Sequence, residues 1–224
     1  MSTPSPERRE SSKSDLRARL ALHVLTDRDW SHGRETVMVA RLAIAGGATV
    51  IQLRDKTAST RQLIDEGRAL RKLTREHDVL LIVNDRIDVA LAIDADGAHV
   101  GQDDMPGTDA RRLLGPDKIL GISAGNLYEA EQAIADGADY LGVGPIYATS
   151  TKADAGPASG PELLRNIAAR WPIPLVAIGG ITTARTPEIL RAGASGIAVI
   201  TAVVSAENIM LAARELADTL KSPW

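Results

Sequence analysis

Eight short, densely aliphatic runs alternate with longer stretches of helical spacing and predict a single-domain (β/α)₈ barrel, an α/β fold built on a closed parallel sheet. A recurring turn supports the alternation. AGGA ends at Ala48, ADGA at Ala98 and again at Ala138, and AGAS at Ser195, ahead of the second, fourth, sixth and eighth runs. Each is expected at a helix C-terminus, with its glycine in the left-handed conformation. Shared turn chemistry or an internal duplication of roughly 40 to 56 residues would each produce that recurrence. A third observation is chemical: polar and charged residues gather at the ends of the runs, where such barrels carry function.

The bulk composition fits this class. The chain has 224 residues, of which 44% are hydrophobic and 25% charged, enough for one large core. Aromatics total 3% with no Phe, so Ala, Val, Ile and Leu must build that core. The absence of cysteine excludes disulfides, thiol nucleophiles and zinc–thiolate sites. A net charge of −3 gives no reason to expect nucleic acid or an anionic membrane as partner. No apolar run reaches the ~18 residues a spanning helix needs. Residues 1–19 read as a disordered polar leader and residues 20–224 as the barrel, with a cytoplasmic location. A homo-oligomer is compatible with the sequence.

The first strand is expected over Leu20–Thr26, and the second over Thr49–Arg54. Period-two alternation sends Gln52, Arg54 and, if the strand extends, Lys56 into the barrel, where two cations require an anionic partner. Strands three and four, Val79–Asn84 and Gly97–Gly101, end in Asn84-Asp85 and Gln102-Asp103-Asp104. Adjacent strands lie about 4.8 Å apart, so carboxylates at both ends can share a site. Oxygen ligands without His or Cys suit Mg²⁺; singly, the same aspartates would serve as helix caps. The cation cluster next door favours the metal.

The fifth strand, Ile119–Ser123, ends in a serine, with Asn126 placed to cap the following helix. The sixth, Tyr140–Gly144, runs into a long loop in which Thr149, Ser150, Thr151 and Lys152 offer donors to a phosphate or diphosphate. That loop continues to Gly160, too long for a simple turn and suited to a mobile lid. The seventh and eighth, Pro174–Ile178 and Gly196–Ile200, lead into Gly179-Gly180 and Ile200-Thr201-Ala202. Glycine-rich turns there form the commonest barrel phosphate site, from backbone N–H groups at a helix N-terminus. None of the four histidines has a partner that looks like a relay, and all are expected in packing or at the surface. Two anion sites result, one suited to a diphosphate with Mg²⁺ and one to a monophosphate, which implies group transfer with pyrophosphate leaving.

The motifs VIQLRDK (50–56), LIVNDR (81–86), HVGQDDMP (99–106), GIS (121–123), YLGVGPIYATSTK (140–152), AIGGI (177–181) and AVITA (198–202) resemble those of the thiamine-phosphate synthase family, over residues 20 to 217. The resemblance implies the condensation of hydroxymethylpyrimidine diphosphate with a thiazole phosphate, giving thiamine phosphate and pyrophosphate with Mg²⁺. Carried onto this chain, it implies that Gln52, Leu53, Arg54, Asp55, Lys56, Asn84, Ser123 and Lys152 bind the pyrimidine diphosphate. It further implies that Asp85 and Asp104 hold Mg²⁺, and that Thr149, Ser150, Thr151, Gly180, Ile200 and Thr201 bind the thiazole phosphate. Arg54, Lys56, Ser123 and Lys152 would carry the catalytic roles. Where the family usually has His or another larger residue, this chain has Gly125, which predicts a more open site there. A related thiazole tautomerase shares the barrel but has no need of the diphosphate–Mg²⁺ residues. An isomerase or aldolase would need an interior acid–base residue or Schiff-base lysine, and a non-catalytic sensor would have no use for the metal pair.

Overall fold

The computed structural model describes residues 16–149, 151 and 156–222. Eight parallel strands close in sequential order into a barrel. The strands are β1 (Leu22–Leu25), β2 (Val50–Leu53), β3 (Leu80–Asn84), β4 (Gly97–Val100), β5 (Ile119–Ala124), β6 (Tyr140–Val143), β7 (Leu175–Ile178) and β8 (Gly196–Val199). The helices are α1 (Thr36–Gly46), α2 (Thr60–Glu76), α3 (Ile87–Ala92), α4 (Gly107–Leu114), α5 (Leu127–Ala135), α6 (Gly160–Ala168), α7 (Thr186–Arg191), α8 (Thr201–Val204) and α9 (Ile209–Lys221). No helix among the described residues is long and apolar enough to cross a membrane.

Alternation along each strand divides the core in two. Outward residues such as Val24, Ile51, Leu53, Leu81, Val83, Leu141 and Val143 meet the apolar faces of the helices. Inward residues Leu25, Val50, Leu80, Ile82, Tyr140, Val176 and Ala198 fill the barrel itself. Helix starts are set by side chains where the loops demand it. Ser59 and Gln62 form a reciprocal capping box on α2, Asn126 caps α5, and Asn208 caps α9.

The first strand is shorter than its apolar run. Leu20 is fully buried but sits in a helical turn formed by residues 16–19, with its N–H donated to the Leu16 carbonyl. Arg17 anchors that turn across the bottom of the barrel, donating to Ser195 Oγ at 3.1 Å and the Pro172 carbonyl at 2.9 Å. Leu16 and Leu20 therefore plug the stability face of the barrel from below. The repeated turn also holds with one exception. Gly47, Gly137 and Gly193 have φ of 108°, 91° and 100°, but Gly97 is an ordinary strand residue and Asp94 takes the left-handed position. Gly97 is required for another reason: a Cβ there would fall 2.0 Å from the Ile119 carbonyl oxygen on β5.

Candidate functional site

A cavity of about 550 Å³ opens at the C-terminal ends of the strands and descends between them to Leu25, Val176 and Ala198. Its walls carry polar side chains because the inward positions near the top of the strands are polar: Gln52 on β2, Asn84 on β3, His99 on β4 and Ser123 on β5. The register places Gln52 beside Ile82, Asn84 beside His99, and Ser123 beside Gly142.

One side of the mouth is cationic. Arg54 follows β2 inward and pairs with Asp27 at the end of β1; both side chains are nearly buried. Burial pushes the Asp27 carboxyl above its usual range, and the Arg54 guanidinium opposes that rise. Lys56 reaches Asp85 at 2.5 Å. Asp85 has a left-handed backbone, φ 61°, fixed by an N–H donated to the His99 carbonyl at 2.7 Å. Burial raises its carboxyl; Lys56 opposes the rise, and the hydrogen-bonded Asp104 carboxyl reinforces it. Asp104 also accepts the Gly101 N–H at 2.7 Å.

Two carboxylates pressed together at strand ends, one of them raised by the other, form a donor set that a divalent cation relieves. Among the described residues no cluster of three or more His, Cys, Asp or Glu surrounds them. Mg²⁺ needs only one or two protein carboxylates when water and phosphate oxygens complete its shell, so Asp85 and Asp104 fit it.

Across the cavity the donors are backbone. Gly179 and Gly180 have φ of 98° and 63°, and side chains there would strike Pro145 and the Ala148 carbonyl at 2.7 and 2.8 Å. Helix α8 starts directly after Ile200, so its first-turn amides at Thr201 and Ala202 have no intrahelical acceptor, and both residues line the cavity. Arg34 fixes this helix from behind by donating to the Val204 and Ala206 carbonyls, both at 2.7 Å. Thr149 and Thr151 also line the cavity, and their hydroxyls lie 3.2 Å apart.

The expected residues Gln52, Arg54, Lys56, Asn84, Asp85, Asp104, Ser123, Thr149, Thr151, Gly180, Ile200 and Thr201 thus surround one cavity. Ser150 and Lys152 lie outside the described residues, as does part of the loop expected to act as a lid. Leu53 and Asp55 are not brought to the cavity. The alternation that turns Gln52 and Arg54 inward turns Leu53 out into the helix-facing core. Asp55 organises its own loop, accepting from Arg28 Nε at 2.8 Å and from the Thr57 and Ala58 amides at 2.9 Å. Burial works against its charge, but these bonds outweigh it and hold the carboxyl below its usual range.

Three residues at the site were not anticipated. Asp27 buttresses Arg54. Glu129 lines the cavity beside Gly125 and accepts that residue's N–H at 2.7 Å. His99 was expected in packing or at the surface with no relay partner, yet its Nε2 lies 2.9 Å from Ser123 Oγ. The signal for His99 was available, because a histidine at an inward position level with Asn84 must face the cavity. Gly125 does leave room: a Cβ there would meet only Glu129 Oε2 at 3.4 Å and the Gly144 carbonyl at 3.7 Å.

The site therefore offers a cationic end with a metal-competent carboxylate pair and a backbone end for a second phosphate. The family described as thiamine monophosphate synthase matches residues 22–203. Thiamine-phosphate synthase of Chloroflexus aurantiacus is 60% identical over 195 residues, covering 87% of this chain and 90% of that protein. That of Moorella thermoacetica is 51% identical, covering 89% of this chain and 95% of that protein. The solved thiamine phosphate pyrophosphorylase of Pyrococcus furiosus superposes with a TM-score of 0.85 at 45% identity, covering 92% of this chain and 98% of that one.

Proposed function

This chain belongs to the thiamine-phosphate synthase family and is a transferase of thiamine biosynthesis, and from that premise we propose that it joins hydroxymethylpyrimidine diphosphate to a thiazole phosphate. The observation that carries this reading is the pairing of two unlike anion sites in one cavity. Arg54, Lys56, Asp85 and Asp104 stand at one end, and Gly180, Ile200 and Thr201 at the other.

Arg54 and Lys56 bind the diphosphate arm, Gln52 and Asn84 border the pyrimidine, and Ser123 stands where the methylene joins the diphosphate. Asp85 and Asp104 hold Mg²⁺, which when bound supplies positive charge against the oxygens of the departing pyrophosphate. The amides of Gly180, Thr201 and Ala202, with the Thr149 and Thr151 hydroxyls, hold the thiazole phosphate. The C–O bond to the diphosphate breaks with its electron pair leaving on pyrophosphate. The pyrimidinylmethyl cation is stabilised by the ring amino group, and the thiazole nitrogen donates its lone pair to form the new C–N bond. The cations stabilise charge that grows in the transition state, while the paired sites hold the reactants in line. A tertiary aromatic nitrogen carries no proton to remove, so the chemistry requires no general base.

The test is an assay of the purified protein with both substrates and Mg²⁺, following thiamine phosphate and pyrophosphate. Equal amounts of both products, abolished by EDTA and restored by excess Mg²⁺, are expected. No product from folded protein would overturn the reading.

A further inference from the structure

Beneath the cationic end of the cavity, three polar side chains are joined in series across three strands. His99 on β4 places Nε2 2.9 Å from Ser123 Oγ on β5 and Nδ1 3.0 Å from the Tyr140 hydroxyl on β6. The register sets His99, Gly121 and Tyr140 side by side, with the glycine between the two rings. A Cβ on Gly121 would fall 2.2 Å from Tyr140 Cζ and 2.4 Å from His99 Nδ1. One on Gly142 would fall 2.7 Å from His99 Cε1. Two strands thus give up their inward side chains at the level where the imidazole and the phenol meet, a space built for this contact.

The direction of the chain follows from its buried end. Tyr140 is 1% exposed, and among the described residues its hydroxyl has one side-chain partner, His99 Nδ1. A buried O–H must find an acceptor, so the phenol donates to Nδ1. Burial, reinforced by Asp139, pushes its acidity out of the working range, so the proton stays on the phenol. An imidazole that accepts at Nδ1 carries its proton on Nε2. Nε2–H then donates to Ser123 Oγ, so the serine accepts from the imidazole and its O–H is not spent on that bond. The serine's own hydrogen is turned toward the cavity, which Ser123 lines. With the opposite polarity Ser123 would present lone pairs to an anionic ligand.

We propose that Tyr140 and His99 are positioning residues that fix Ser123 as a hydrogen-bond donor to the diphosphate-bearing substrate. The inference rests on the proposed function in placing that substrate against Ser123. A donor aimed where negative charge grows acts more on the transition state than on the ground state.

Tyr140→Phe removes one hydroxyl and keeps the ring. It is expected to lower kcat about tenfold, with KM for the pyrimidine diphosphate changed less than about twofold. In a Ser123→Ala background the same change should cost less than about twofold, because its effect passes through the serine. Equal losses in both backgrounds, or an unchanged kcat in the single variant, would overturn the proposal. The second measurement needs no turnover: ¹⁵N-histidine NMR of the wild-type protein, with His99→Gln used to assign the ring. A proton on Nε2 and a bare Nδ1, with that preference lost in Tyr140→Phe, is expected. A proton on Nδ1, or on both nitrogens, would refute the relay. Because NMR reads the relay without substrate, a wild-type protein that forms no thiamine phosphate while showing this tautomer would sink the function and not the relay.

Discussion

His23 lies inside the barrel on β1, 1% exposed, with neither ring nitrogen bonded to a described residue. Its ring meets Tyr140 edge-on at 5.5 Å. Burial, with a smaller contribution from His99, lowers its pKa from 6.5 to about 3. The folded pKa is therefore depressed below the unfolded one. The stability it contributes is complete above pH 6.5 and is lost as pH falls toward 3, because only the unfolded chain takes up the proton there. Between pH 7 and pH 5 the unfolded state gains about 2 kcal/mol from this one group. His23→Phe keeps a planar ring and abolishes the titration. Urea unfolding of both proteins by circular dichroism at pH 7, 6 and 5 isolates the contribution of His23, since every other group titrates in both. The variant's advantage should widen by about 2 kcal/mol over that interval, roughly 0.7 M in midpoint for an m-value of about 3 kcal/mol/M. A gap that stays constant from pH 7 to 5 would show that His23 is neither desolvated nor kept neutral, and the reasoning would fail.

Replacing Asp85 or Asp104 by Asn should lower Mg²⁺-dependent turnover by at least about tenfold, while titration calorimetry shows thiazole phosphate affinity little changed; the reverse order would contradict the metal assignment. Thr201→Glu brings a carboxylate to the backbone phosphate site. At about 4 Å such a pair costs about 4 kcal/mol near a protein surface, so KM for the thiazole phosphate should rise by about a hundredfold or more, and an unchanged KM would remove Thr201 from that site. Leu20→Ala empties part of the plug below the barrel and should destabilise the fold by about 2–5 kcal/mol. An unchanged thermal midpoint would show that the turn over residues 16–19 contributes nothing to the closed face.

The barrel was legible because its strands are buried on both faces, which forces dense aliphatic runs whatever the helices do. Strand limits were less legible. Leu20 belongs to an apolar run by composition, yet its amide closes a helical turn onto Leu16, a choice made by the packing at the barrel bottom. Within the site, alternation identified Gln52 and Arg54, and it argues against Leu53 and Asp55, which entered with their contiguous motif. His99 was readable by the same rule, together with two unexplained inward glycines at 121 and 142. Asp27 and Glu129 were not: their roles depend on loops that bring Asp27 to Arg54 and Glu129 to the Gly125 amide, and no local periodicity encodes those approaches.

The cations and carboxylates at the mouth are paired with one another: Arg54 with Asp27, and Lys56 with Asp85. The two pairs are not equivalent. Asp27 is nearly buried behind Arg54, so it stays with the guanidinium and holds its rotamer at the cavity wall that Arg54 lines. Asp85 instead sits between Lys56 and a second carboxylate, an arrangement that burial makes costly and that a divalent cation relieves. Under the proposed function, a cation on Asp85 frees Lys56, half exposed, for the diphosphate. One pair is thus a fixed support and the other an exchangeable one. For the proposed transfer, preorganised charge of this kind, set on strand ends that the barrel holds rigid, leaves little reorganisation to be done as pyrophosphate departs.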